Sequence, residues 1–233
     1  GMNITVYSRS NEDALFEQMK AFIPAGIKVL KCEQFHDWQH AADYLHYIID
    51  YAETDWIANI DIDCFVFDWP GFTRLLEYLQ QNGYDYCGMP DGGVHPGRSW
   101  SWCTMNPFFN IFNAAKIKAM RQVHGLSWEV IGKEGYRPEF EERRPAMIKG
   151  PYNHIAGEPF HGFFFWLFRM AKGYFMNARI LDDELTTYLH GIDGEDIILH
   201  TWYSRLYSSD KRTKLRIDRY LKEAQNKKAL CKL

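Results

Sequence analysis

The amino-acid sequence predicts an α/β fold in which helices flank a largely parallel sheet. Strand-like and helix-like patterns alternate four times within the first 90 residues, which is typical of that fold class. Of the 233 residues, 46% are apolar and 24% are charged, close to globular averages, which excludes disordered, collagenous and disulfide-scaffold proteins. A chain of this length is expected to form one large domain, or one domain with a small appendage.

The predicted elements follow one another in chain order. Short apolar runs predict strands over residues 3–7, 27–30, 56–60, 84–89, 108–112, 178–181 and 197–200. Apolar residues at helical spacing predict helices from the capping sequence at 10–13 to residue 23, and over 41–52, 114–123, about 158–170 and the tail. A further helix lies between Pro70, which suits a first turn, and Gly83, which suits a C-cap.

Residues 126–157 interrupt this pattern, because they hold three prolines and four glycines but few aliphatic residues. Connections of this length are commonly functional or mobile. We therefore predict a mobile segment that closes over bound substrates and excludes water.

The charge of the chain is uneven. Residues 210–233 hold nine Lys or Arg against three Asp or Glu, while the whole chain carries −3. The acidic remainder disfavours nucleic acid as a partner. Apolar residues among the tail cations predict a surface helix, which either makes a weak contact with anionic lipid or is simply solvated.

Cysteine usage and hydropathy bear on location. The five cysteines are widely spaced and form no Cys-x-x-Cys pair, so we expect reduced thiols in a cytoplasmic protein, peripheral at the inner membrane face if the tail binds lipid. The longest uninterrupted apolar run, residues 163–168, is far shorter than the roughly 20 residues of a membrane span.

Asp61 and Asp63 are the sharpest chemical signal in the sequence. They directly follow the apolar run 56–60, which is typical of a strand buried on both faces. Side chains two residues apart on an extended backbone point the same way, and open α/β sheets bind ligands at the carboxyl ends of their strands. Two carboxylates placed there attract a hard divalent cation, which can in turn hold a diphosphate.

Residues 51–63 resemble the helix end, strand and DXD motif of GT-A-type, nucleotide-sugar-dependent glycosyltransferases. The resemblance implies a GT-A-like, Rossmann-type domain over 2–209, with a nucleotide-sugar half at about 2–105 and an acceptor half at 106–209, followed by the basic helix 210–233. It implies that Asp61 and Asp63 hold Mn²⁺ or Mg²⁺ on a nucleoside-diphosphate sugar, with a UDP-sugar favoured. Three residues after the first strand would lie near the base and ribose: Tyr7, Ser8 and Arg9.

Residues 157–174 resemble the Gly-Glu-Asp…Arg-x-x-x-Gly-Tyr segment of inverting GT-A enzymes. The second acid of that segment usually serves as general base, but Pro159 replaces it here. Glu158 is then the first candidate for the base, with a helix-dipole partner as the alternative role. His161 and Asp183 are further candidates.

Other residues gain roles from the same resemblance. His200 matches a metal-ligand histidine after a late strand, or is structural; Arg205 would neutralise the leaving diphosphate, or form a surface ion pair. Asp91, in the turn-rich stretch 90–98, would contact the donor sugar. Trp100 and Trp102 offer flat faces to a sugar ring or belong to the core.

The hypothesis is a metal-dependent, preferentially inverting glycosyltransferase with a glycan or glycolipid acceptor. The alternative is a sugar-nucleotide- or carbohydrate-binding relative without turnover, which Pro159 favours. An aspartate-nucleophile phosphatase would carry Thr or Val where Phe65 stands, and a nucleotidyltransferase would carry a Gly-rich basic loop at 8–11. Both are disfavoured.

Overall fold

The computed structural model describes residues 2–231 except residues 36, 92–97, 99 and 147. Its main sheet has six strands in the order β2-β1-β3-β6-β5-β7. Their bounds are β1 Ile4–Arg9, β2 Lys28–Cys32, β3 Trp56–Ile60, β5 Tyr86–Pro90, β6 Met105–Asn113 and β7 Gly173–Phe175. Only β6 runs antiparallel to its neighbours, so the predicted α/β fold with a largely parallel sheet is confirmed.

A second sheet is wholly antiparallel, in the order β4-β10-β9-β8. Its strands are β4 Cys64–Phe65, β8 Ala178–Ile180, β9 Thr187–His190 and β10 Asp196–His200. The sequence predicts β8 and β10 but neither β4 nor β9. Both missed strands are short, and strands of two and four residues leave little periodicity to detect.

Helices cover both faces of the main sheet. They are α1 Asp13–Lys20, α2 Ala41–Asp50, α3 Trp69–Gln81, α4 Ala114–Val123, α5 Trp128–Ile131, α6 His161–Met170 and α7 Lys211–Leu230. Single 3₁₀ segments span Trp38–His40, Pro138–Arg143 and Ser204–Leu206. None of the helices in the described ranges is long and apolar enough to cross a membrane.

Strand β3 separates two hydrophobic cores, as expected for a strand buried on both faces. Ala58 and Ile60 face the first core, which α1, α3, α7 and the second sheet complete. Ile57 faces the second core, which contains the buried residues of α2, α4 and α6. The carboxyl end of β3 therefore emerges between two packed layers, and its position is fixed from both sides.

Helix α6 begins at His161 rather than at the predicted residue 158. Glu158 precedes Pro159, and a residue before proline is disfavoured in the helical region. The backbone of Glu158 instead forms a turn, in which its carbonyl accepts from His161 N–H at 3.1 Å. Glu158 thus lies on a turn ahead of the helix.

The segment 126–157 is anchored by buried apolar side chains, although it has little regular structure. Ile131, Phe140 and Ile148 pack into the second core. Gly162 of α6 approaches the backbone of Gly132 so closely that a Cβ there would lie 2.1 Å from its carbonyl oxygen. The predicted closing motion stays a prediction.

Helix α7 is the predicted basic tail. One face of the helix packs into the first core through Ile217, Tyr220, Leu221 and Ala224. Leu215 and Leu230 are exposed. Its contact with lipid also stays a prediction.

Candidate metal and substrate site

Two strand ends bring the candidate metal ligands together. Asp61 and Asp63 follow β3, and the backbone N–H of Asp61 donates to Phe108 of β6 at 2.8 Å. Strand β4 comes next and pairs with β10, placing Cys64 opposite His200. This antiparallel pairing places His200, which lies 137 residues after Asp63 in the chain, next to the Asp-x-Asp sequence.

The three side chains form a compact group. One ligand atom from each of Asp61, Asp63 and His200 lies within 4.8 Å of the others. His200 Nε2 is 3.3 Å from Asp63 Oδ1. The imidazole stacks on Phe108, with ring centroids 3.8 Å apart and planes at 7°. Asp63 and His200 are buried, and Asp61 is partly exposed.

The group lacks the partners that buried charges normally have. Among the residues that the structure describes, neither Asp63 Oδ1 nor His200 Nδ1 has a hydrogen-bond partner. In the described part of the chain, no Lys or Arg lies within ion-pair distance of Asp61 or Asp63. Burial raises the pKa of Asp61 to about 6; Asp63 adds to the effect and Arg9 opposes it. Carboxylate oxygens with one imidazole fit Mn²⁺, and a cation there would supply the missing charge.

The group lies in a cavity of about 320 Å³ whose wall carries both signs of charge. The charged wall residues are Arg9, Asp61, Asp63, Arg98, Glu158 and Arg205. Aromatic wall residues are Trp38, Phe108, Phe160, Trp202 and Tyr203. Trp38 is 52% exposed and Tyr203 is 48% exposed, so both offer ring faces to a ligand. The sequence does not single out either residue, because an isolated aromatic in a loop carries no periodic signal.

Of the three residues predicted beside the base and ribose, only Arg9 lines the cavity. Its guanidinium donates to the carbonyls of Phe35 and Asp37 and lies 5.4 Å from the ring centroid of Tyr44. Tyr7 and Ser8 do not reach the wall. The Tyr7 hydroxyl donates to Tyr51 O and accepts from Glu53 N–H. Ser8 is fully buried, and its hydroxyl has no hydrogen-bond partner within the described ranges. Both lie within β1, whereas Arg9 is its last residue.

Asp91 is fully buried under the cavity wall and does not line it. Its carboxylate accepts from Arg98 Nε at 2.5 Å, from Asn106 Nδ2 at 3.2 Å and from His161 Nε2 at 2.7 Å. The other imidazole nitrogen of His161 accepts from Glu158 N–H, which leaves the proton on Nε2. Burial raises the pKa of Asp91, but the hydrogen bonds from His161 and Arg98 outweigh it and lower the pKa overall. The Asp91 carboxylate, which the sequence predicts to contact the donor sugar, is thus bonded to residues within the protein.

The remaining candidates fall into two groups. Glu158 lines the cavity, and its carboxylate accepts from Arg98 Nη2 at 3.3 Å. Arg205, on the 3₁₀ segment Ser204–Leu206, is exposed at the cavity edge. Asp183 instead closes a turn through Leu185 and Thr186.

The two tryptophans also differ. Trp102 is a core residue whose indole N–H donates to Glu141, so it offers no face to a sugar. Trp100 is partly exposed but does not line the cavity; its ring packs against Gly157.

The chain resembles solved structures at low identity only. No family model and no curated protein matches it. It is similar to A197 from STIV, with 12% identity, a TM-score of 0.42, and 87% of this chain and 95% of that chain covered. It is similar to the mannosyltransferase PcManGT from Pyrobaculum calidifontis, solved with GDP-Man and Mn²⁺, with 10% identity, a TM-score of 0.36, and 51% and 46% covered. A glycosyltransferase involved in glycosylation of the major capsid of PBCV-1 shares 15% identity, a TM-score of 0.35, and 68% and 82% coverage.

Proposed function

We propose that this chain is a metal-dependent glycosyltransferase, which moves a sugar from a nucleoside-diphosphate sugar to an acceptor hydroxyl. The observation that carries the proposal is the convergence of Asp61, Asp63 and His200 in a polar cavity, with no Lys or Arg of the described residues at ion-pair distance from the two carboxylates. Mn²⁺ or Mg²⁺ held by these residues would offset the negative charge of a diphosphate leaving group.

The cavity wall supplies groups for the rest of the donor. Arg9 and Arg205 are wall residues whose guanidinium groups suit phosphate oxygens. Neither forms an ion pair with an acidic residue within the described ranges. The half-exposed Trp38, beside Arg9 on the wall, offers a flat face to the nucleotide base.

Glu158 is the proposed general base for an inverting transfer. The acceptor O–H gives its proton to the Glu158 carboxylate while its oxygen bonds to the anomeric carbon. The bond from that carbon to the diphosphate breaks, and the nucleoside diphosphate leaves with the electron pair. Arg98, 3.3 Å from the carboxylate, would orient Glu158 in the cavity.

Binding without turnover is the second candidate function. Pro159 occupies the position of the expected acid, and Glu158 shares its charge with Arg98. Both features favour a site that holds a sugar nucleotide but lacks an efficient base.

Calorimetric titration of Mn²⁺ with a panel of sugar nucleotides that includes UDP-sugars tests the proposal. We expect at least one metal-dependent binder, and we expect Asp63→Ala to lose it. Asp182→Ala, which removes an exposed carboxylate outside the cavity, is the matched control. If no sugar nucleotide binds, or if Asp63→Ala binds as well as the wild type, the proposal is wrong.

Turnover separates the two candidate functions. Release of the nucleoside diphosphate by wild type, and its loss in Glu158→Gln with binding retained, would identify a transferase. The anomeric configuration of the product, read by NMR, would decide between inversion and retention. Tight binding by wild type without any release, across donors and acceptors, would instead identify the binding protein.

A further inference from the structure

One arginine of the basic helix α7 reaches beneath the candidate site. The guanidinium of Arg216 donates to the carbonyl of Thr201, to the carbonyl of Trp202 at 2.9 Å and to the hydroxyl of Thr186 at 3.3 Å. Arg216 is partly buried, whereas its neighbouring cations Arg212, Lys214 and Arg219 are exposed. It is therefore engaged with the body of the protein rather than with solvent.

The backbone that Arg216 holds has an unusual conformation. Trp202 and Tyr203, which follow Thr201 at the end of β10, are consecutive residues in the left-handed region, with φ of 69° and 61°. A bulky side chain disfavours that region, so the conformation must be imposed by surrounding contacts. The two Arg216 bonds to carbonyls at 201 and 202 are such contacts. A third is the Trp202 indole N–H, which donates to Thr187 at 3.0 Å.

The same backbone joins two candidate metal ligands. Thr201 directly follows His200, and its N–H donates to the carbonyl of Asp63 at 3.1 Å. Its hydroxyl lies 3.4 Å from Asp63 Oδ2. Thr201 thus connects His200 and Asp63, and Arg216 holds Thr201 in place by donating to its carbonyl.

The turn also carries part of the cavity wall. Trp202 and Tyr203, the left-handed pair, line the cavity, as do Ser204 and Arg205, which directly follow the pair. If the backbone at 202 and 203 relaxed to the ordinary right-handed or extended region, the direction of these side chains would change. The wall on this side therefore depends on the same two carbonyl contacts.

We infer that Arg216 is a positioning residue for the candidate site: it holds the 201–205 turn so that His200 and Asp63 stay at ligand distance and Arg205 stays on the cavity wall. The inference rests on the proposed function, since it assigns to that site a support on α7. It gives the basic helix a role inside the protein, independent of any contact with lipid.

Mn²⁺ binding, followed by the EPR signal of the free ion, tests the metal half of the inference. For Arg216→Met we expect an affinity about 10- to 100-fold weaker, as when groups that orient metal ligands are lost. For Arg216→Lys we expect an intermediate loss, because one ammonium cannot reproduce the planar fork on two carbonyls. Arg212→Met, an exposed position on the same helix, should bind like wild type.

Hydrogen exchange tests the turn without any metal. In Arg216→Met the amides of 201–206 should exchange faster, while those of β1 and β3 keep their protection. This readout distinguishes release of the turn from general unfolding. If Arg216→Met does not fold, Arg216→Lys carries both measurements.

The failures are distinguishable. If wild type binds Mn²⁺ and a folded Arg216 variant binds it equally well, the inference is wrong while the proposed function stands. If wild type binds no Mn²⁺, the proposed metal site is wrong, and exchange at 201–206 alone decides whether Arg216 holds the turn. Unchanged exchange in the variants would overturn that as well.

Discussion

Two buried aspartate–histidine pairs lie close to the same cavity, and they differ in how completely they are paired. In the Asp91–His161 pair, the nitrogen and oxygen are 2.7 Å apart, and Arg98 and Asn106 fill the remaining positions around the carboxylate. In the Asp63–His200 pair, the closest atoms are 3.3 Å apart, and one polar atom on each side chain has no hydrogen-bond partner in the described part of the chain. Residue type and burial are alike, so neither distinguishes the two pairs.

The difference indicates that the Asp91–His161 pair, which we call the closed pair, is structural. The Asp63–His200 pair, which we call the open pair, is available to a ligand. Hydrogen bonds lower the pKa of Asp91 despite its burial, so its negative charge is stabilised by the protein itself. Asp61, beside the open pair, has its pKa raised by burial and by Asp63. A buried charge without a partner is costly, so a cation bound at the open pair would supply stabilisation that the pair otherwise lacks.

The largest expected effect comes from breaking the closed pair. Asp91→Asn removes the buried carboxylate that Arg98 and His161 share and leaves Arg98 with Glu158 as its remaining anionic partner, so we expect the free energy of unfolding to fall by about 3 kcal/mol. Urea denaturation would measure this loss. Mn²⁺ affinity should remain near the wild-type value. A variant as stable as wild type would show that the closed pair contributes nothing to folding.

The next effect comes from the open pair, where we expect metal affinity to fall while the stability of the metal-free protein is kept. Asp63→Asn removes a metal ligand, so we expect Mn²⁺ affinity to fall by at least about 100-fold, the upper end of what the loss of a supporting residue costs. The metal-free variant should be no less stable than wild type, because it loses the repulsion between the neighbouring carboxylates of Asp61 and Asp63. Titration and thermal unfolding, with and without Mn²⁺, check both halves. Strong destabilisation of the metal-free variant would place Asp63 among structural residues.

A smaller effect concerns pH in the metal-free protein. Asp61 has a pKa raised to about 6, so between its ordinary pKa and 6 the folded state binds a proton that the unfolded chain releases. Its contribution to the free energy of unfolding is therefore present at low pH and lost as pH rises to 6, on the order of 1 kcal/mol for a partly exposed group.

Denaturation of wild type and Asp61→Asn between pH 4 and 7 would measure that contribution, because the variant lacks it. Saturating Mn²⁺ should abolish this fall in wild-type stability with rising pH, since a bound cation favours the ionised carboxylate. Identical pH profiles for the two metal-free proteins would contradict the assignment.

The smallest effect concerns the polar side-chain contact that Thr201 makes with the open pair. The Thr201 hydroxyl lies 3.4 Å from Asp63 Oδ2, which is long for a hydrogen bond between oxygens. Thr201→Val keeps the backbone contacts and should change Mn²⁺ affinity by less than about threefold. Calorimetric titration checks this. A loss as large as that of Asp63→Asn would mean that the pair is better satisfied than its distances indicate.

Local patterns in the sequence predict much of the main sheet and its helices. The run at 56–60 is strand β3 and the run at 114–123 is helix α4, with the same bounds. Asn113 caps α4 with its side chain, which accepts from Lys116 N–H. Such features depend on residues a few positions apart, so a single sequence contains them. Asp61 and Asp63 do converge, but strand alternation does not bring them together, since they lie beyond β3 in a turn in which Cys64 N–H donates to Asp61 O at 3.0 Å.

Long-range pairing decided the rest, because it depends on distances that sequence spacing does not encode. Two-residue β4 pairs with β10 and brings His200 to Asp63. Arg98 and His161 both bond to Asp91, so the residue that the sequence predicts to contact the donor sugar is paired within the protein. In the sequence, Arg216 is one of nine cations in the basic tail and nothing distinguishes it from the others. The packing of α7 against the first core directs it toward Thr201. The sequence therefore determined which residues can carry charge, and the tertiary structure decided which of those charges are left without a partner.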